Sequence, residues 1–110
     1  METTRQQKIS RLIQKELSNI FLVQTKATNG ILVSVSAVRV TPDLGIARVY
    51  LSIFPQDKRE ELIKNINENS KAIRFELGQI VRHQLRVVPE LEFYIDDSLD
   101  YAERIDTLLK

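Results

Sequence analysis

The 110 residues carry 16 Lys and Arg against 15 Asp and Glu, 43% apolar content and no Cys. That profile fits one soluble domain over 1–110 with a single hydrophobic core, large enough to fold without a staple or a metal. The missing cysteines exclude disulfides, thiolate catalysis, Fe–S clusters and Cys-based zinc sites, and fit a reducing cytoplasm. No window approaches the roughly 18 consecutive apolar residues of a membrane span, and the start lacks the apolar stretch of a secretory signal, so a cytoplasmic address and no membrane partner are expected. The net charge of +1 hides an asymmetry: residues 1–89 hold 14 basic and 8 acidic side chains, residues 90–110 hold 2 and 7. A basic body with an acidic end can present a positive face to a polyanion despite a near-neutral total.

From Thr4 to about Leu22, Ile9, Leu12, Ile13, Leu17, Ile20 and Phe21 recur at steps of three and four, which predicts an amphipathic helix. Burying that stripe turns Lys8, Arg11 and Lys15 outward, with Arg5 at the edge. Thr25 to Gly30 breaks the helix, and the β-branched run from Ile31 to Val40 predicts a strand. Its apolar parity changes between Val35 and Val38, which predicts a bulge near Ala37. Thr41-Pro42-Asp43-Leu44-Gly45 supplies turn chemistry, with Gly45 as the position for a positive φ, before a second strand from Ile46 to Phe54. Ala47, Val49, Leu51 and Ile53 share its inner face; Arg48, Tyr50 and Ser52 share the other.

Helical period returns with Leu62, Ile63, Ile66, Ile73, Leu77, Ile80 and Val81, over a span too long for one helix. Asn65 to Ser70 is poor in helix formers, and Asn69 and Ser70 are good N-cap residues, so two helices should meet there, the second reaching about Leu85 or Arg86. Pro89 favours an extended Val88, and Leu91, Phe93 and Ile95 alternate with polar neighbours as a third strand. Asp97-Ser98 can cap a short last helix bearing Tyr101, Ile105, Leu108 and Leu109. The result is an α+β order, α-β-β-α-α-β with a C-terminal helix, the helices packed on a three-stranded sheet.

On the wheel of the helix after Ser70, Lys71, Arg74, Gly78, Arg82 and Arg86 fall within about 120° of arc, away from the apolar stripe. A helical glycine costs about 1 kcal/mol relative to Ala, and Gly78 would let a phosphodiester approach between the arginines. The helix start adds free N–H groups and a positive dipole end. The stripe therefore suits a polyanion, and as it faces away from the core, replacing Arg74, Arg82 and Arg86 by Ala should not unfold the domain. The bland alternative is a solvated face with a packing glycine. His83 lies between the basic and apolar faces without a catalytic partner motif, and the carboxylates Asp96, Asp97 and Asp100 lack metal-loop spacing and are explained by capping. Tyr50 and Tyr94 sit on the outer parity of their strands, where stacking on bases is conceivable. Phosphate-cradling loops, nucleophile elbows and zinc spacings are missing, so no enzyme, cofactor, metal or small-molecule substrate is expected.

The stretches Asp43-Leu44 with Ala47, Val49-Tyr50 and Ser52, then Ile73-Arg74 with Leu77-Gly78, then Leu85-Arg86 with Pro89-Glu90-Leu91, Phe93, Asp96 and Ser98, resemble the bacterial ribosome-binding factor A family over nearly the whole chain. That resemblance implies a KH-like fold of the second type, in which an Ala-x-Gly kink replaces the usual Gly-x-x-Gly loop between the helices. This sequence departs from it with Asn69-Ser70-Lys71. The resemblance further implies an assembly factor that binds the immature small (30S) ribosomal subunit through its 16S rRNA, assists late maturation and rRNA end processing, and then leaves; free, it would be monomeric. On that reading the expected RNA contacts are Lys71, Arg74, Gly78, Arg82 and Arg86, joined by Arg11 and Lys15 from the first helix. The alternative is an adaptor domain for an acidic protein partner.

Overall fold

The structure, a computed structural model, describes residues 3–25, 30–54 and 56–96. Its elements are α1 (Thr4–Thr25), β1 (Leu32–Val40), β2 (Ile46–Phe54), α2 (Arg59–Glu68), α3 (Ser70–Val81) and β3 (Glu90–Ile95), with a 3-10 turn at Gln56–Lys58 before α2. The expected C-terminal helix lies outside the described residues.

A reciprocal cap opens α1. The Gln6 amide N–H donates to Thr3 Oγ1 at 3.2 Å, and the Thr3 N–H donates to Gln6 Oε1 at 2.8 Å, which satisfies two donors that a helix start would otherwise leave open. The other end of the same buried Gln6 side chain donates to the Val40 carbonyl at 2.9 Å and ties the helix start to the end of β1. The predicted stripe is the one that packs: Ile9, Ile13, Leu17, Ile20 and Phe21 are buried, and Leu12 lies partly buried against them.

β1 and β2 form an antiparallel hairpin in register from Leu32 opposite Phe54 to Val40 opposite Ala47. The register slips between Val35 and Ala37, leaving Ser36 as the extra residue. Because side chains alternate with period two, that one residue returns Val38 and Val40 to the face of Val33 and Val35, and the phase change in the sequence is thereby explained. In the turn, Asp43 accepts from Thr41 Oγ1 at 2.6 Å and from the Gly45 N–H at 3.1 Å. The positive φ expected at Gly45 belongs instead to Leu44, at 61°. Leu44 is held there by its N–H donating to the Thr41 carbonyl and by contact of its side chain with the core.

β3 adds to the far side of β2 in parallel, Ile46 opposite Glu90 through Leu51 opposite Ile95, so the sheet order is β1-β2-β3. Parallel neighbours need a crossover, and α2 and α3 supply it. The buried side chains of the three strands join one core with α1 and α3; Phe21 and Phe93 meet edge to face, centroids 5.9 Å apart. Among the described residues, no helix packs on the opposite face of the sheet. There Tyr50 and Tyr94 stack on each other at 5.7 Å, and Arg48 and Glu92 form an ion pair at 3.7 Å. The free edge of β3 is capped by Asn67, whose side-chain amide donates to the Phe93 carbonyl and accepts from the Phe93 N–H, both at 3.0 Å.

The helix break falls at Asn69, as helix propensity predicts, but Asn69 acts backwards. Its side-chain Nδ2 donates to the Asn65 carbonyl at 2.8 Å and closes α2, and it makes no side-chain cap to α3. α3 also ends earlier than expected, at Val81. The N–H groups of Gln84 and Leu85 both converge on the Val81 carbonyl, so Leu85 reaches the core through a turn, and Arg86 belongs to the connection into β3.

Candidate nucleic-acid interface

One flank of α3 and the connection 86–91 form the walls of a groove of about 740 Å³. Lys71, Arg74 and Gly78 come from the helix wall and Arg86 from the other, so four of the seven expected residues meet in one place. Arg86 arrives there as a loop residue instead of extending the helix. Arg82, the C-cap of α3, is exposed and is not part of the groove lining. Among the described residues of the lining, Glu90 is the one carboxylate, against three cations.

Two members of this set differ from the third in what holds them. Lys71 and Arg86 are exposed. Arg74 is half-buried, and its guanidinium faces inward along the groove: Nη2 donates to the Val88 carbonyl at 2.6 Å, and Nε lies 3.1 Å from the Val88 oxygen and 3.2 Å from that of Pro89. Arg74 thus fastens the second wall to the first. These bonds differ from the sequence-based expectation that Arg74 simply faces away from the rest of the fold. Gly78 faces the same wall. A Cβ added there would meet Val88 Cγ2 at 3.6 Å, so the chain's own Val88 occupies the approach that the wheel left open. Pro89, fully buried, anchors the wall beneath them.

Arg11 and Lys15 are exposed one turn apart on α1. Arg11 lines a separate, smaller groove of about 260 Å³ beside the Ser36 bulge, with Gln7, Ser10, Gln14 and Arg39. That groove adjoins β1 and the larger one adjoins β3, the two opposite edges of the sheet, so the helix-one cations do not join the α3 set.

Sequence reasoning passed over Phe75, which stands 70% exposed in the large groove, and Val87, 71% exposed in the facing wall. The signal was available: at 100° per residue Phe75 falls inside the basic stripe, an aromatic side chain on the face turned from the core. His83 is exposed in the turn after α3. Among the described residues, no group of three or more His, Asp or Glu could hold a metal ion, and no helix is long and apolar enough to cross a membrane.

Comparison with known proteins decides the family. The sequence profile described as Ribosome-binding factor A matches residues 5–109. The chain belongs to the ribosome-binding factor A family. The Ribosome-binding factor A of Christiangramia forsetii is 51% identical over 99% of this chain and 85% of its own length. The crystal structure of ribosome-binding factor A from Thermus thermophilus superposes with a TM-score of 0.65 at 21% identity, covering 82% of this chain and 94% of that one. Coordinates of the Thermus thermophilus factor fitted into a cryo-EM map of a 30S complex give 0.62 at 21%, covering 88% and 97%. The fold is accordingly the α+β, KH-like fold of this family, with α2 and α3 meeting at the Asn69 break.

Proposed function

We propose that this chain is a non-catalytic assembly factor of the cytoplasm that binds the immature small ribosomal subunit through 16S rRNA and assists its late maturation and rRNA end processing. The observation that carries the reading is the groove between α3 and residues 86–91, where Lys71, Arg74 and Arg86 surround one acidic neighbour, Glu90. Family membership supports the ribosome as partner, and the Thermus thermophilus relative is one fitted into a 30S complex. Lys71 and Arg86, with Arg82 at the helix end, contact phosphates; Arg74 holds the groove walls together and adds its charge to their field, and Gly78 keeps the floor low. Arg11 and Lys15 form a second, weaker contact at the other edge of the sheet. A factor of this kind acts by preferring the immature subunit, and it shifts maturation only by the difference between its affinities for the two forms.

Co-sedimentation with purified immature and mature small subunits tests this. Binding is expected to favour the immature form, to fall steeply with salt, and to be lost on digestion of the rRNA. The triple variant Lys71→Ala, Arg82→Ala, Arg86→Ala, which leaves Arg74 in place, should stay folded and bind at least about tenfold more weakly at moderate salt. Binding that survives nuclease and follows an acidic protein would make the chain an adaptor instead.

A further inference from the structure

We propose that the α3 groove receives unpaired nucleotides, with Phe75 as the platform on which a base stacks and Lys71 and Arg86 as the cations that take the flanking phosphates. The inference rests on the RNA-binding reading above and narrows it to single-stranded RNA.

Phe75, an aromatic ring 70% exposed on a helix whose buried apolar residues are Ile73, Leu77 and Val81, is not part of the buried core. Here it is placed in a groove, opposite a second exposed apolar side chain, Val87, and between cations. The combination selects the occupant. An apolar protein segment would gain from Phe75 and Val87 but would have to desolvate Lys71 and Arg86, neither of which has a carboxylate partner among the described residues. A nucleotide presents a flat π face and, a few bonds away, a phosphate, so the ring and the cations are satisfied together. A duplex satisfies the cations only, because its bases face one another inside the stack. The groove volume, about 740 Å³, lies within the range of small-ligand sites and leaves room for a base to enter.

The chain has no Trp, so Phe75→Trp introduces a single indole at the proposed platform. Its emission is expected to be quenched by an unstructured oligoribonucleotide and to change little with a blunt-ended RNA duplex of equal strand length. Independently, Phe75→Ala should weaken oligoribonucleotide binding about tenfold while leaving the thermal midpoint and the salt slope unchanged. Arg86→Ala should lower the slope by about 0.7. Indole emission that stays constant while anisotropy of a labelled oligonucleotide reports saturation overturns the proposal, as does an unaltered affinity of Phe75→Ala. If Arg86→Ala still weakens binding in that case, the phosphate surface stands and stacking alone is lost; if neither variant matters, the RNA-binding reading of this groove falls as well.

Discussion

Arg74 and Val88 are joined across the groove by a forked contact: Nη2 donates to the Val88 carbonyl at 2.6 Å and Nε to the same oxygen at 3.1 Å. A fork of two N–H groups on one carbonyl suits guanidinium geometry and is not reproduced by a lysine. With the further approach to Pro89 at 3.2 Å, one side chain fixes the last two residues before β3. Arg74→Ala should therefore cost about 2 kcal/mol, the range of charged hydrogen bonds to partly buried carbonyls. Arg74→Lys should recover less than half of that. Urea unfolding of the three proteins measures it, and equal midpoints would show that the bonds contribute nothing. Because opening this wall also removes the groove, RNA affinity is expected to fall in step with stability, unlike in Arg86→Ala.

Arg74 also marks where sequence reading succeeds and stops. Features set by local pattern were legible: the buried stripe of α1 from its period, the bulge from the parity change between Val35 and Val38, the break at Asn69 from poor helix formers. Features set by tertiary contact were not. α3 stops short of the expected Leu85 or Arg86 because Leu85 continues the apolar period while reaching the core through a turn that closes on the Val81 carbonyl. A helical wheel carries no information about a carbonyl far along the chain, so on the wheel Arg74 reads as a free cation. Leu44 adopts the left-handed region because core contact and the Thr41 bond outweigh the preference that pointed to Gly45. Phe75 differs in kind: its position within the stripe was visible, but a search for charge passes over an aromatic residue that contributes none.

Gly78 supplies the second prediction. A methyl group at this position meets only Val88 Cγ2, at an ordinary van der Waals distance of 3.6 Å. Gly78→Ala therefore adds helix propensity without overlap and should stabilise the domain by about 0.5–1 kcal/mol. The bulkier Gly78→Leu has to displace Val88 or enter the groove, and should both lose that gain and weaken RNA binding. Thermal unfolding of the two variants with binding measured alongside checks the pair. A destabilised Gly78→Ala would mean that Val88 packs against the helix more tightly than the 3.6 Å contact allows.

The hairpin turn gives a pH-dependent prediction. The Thr41 hydroxyl donating at 2.6 Å, and then the Gly45 N–H, hold the Asp43 carboxyl below its ordinary value. A carboxyl depressed in the folded state contributes its stabilisation fully above the unfolded value of about 3.9 and loses it as pH falls through the lower folded value. Thr41→Val removes the largest cause, so the Asp43 carboxyl should titrate closer to its ordinary range. That shift can be followed directly by carbon-detected NMR of the side chain. The variant also forfeits the bond from the Ile46 N–H to Thr41 Oγ1, at 3.1 Å, and so should be less stable at every pH. Only the part of the difference between variant and wild type that shrinks below about pH 4 belongs to Asp43. A gap in stability that stays constant from neutral pH to about pH 2 would assign the whole effect to the Ile46 bond and none to the carboxylate.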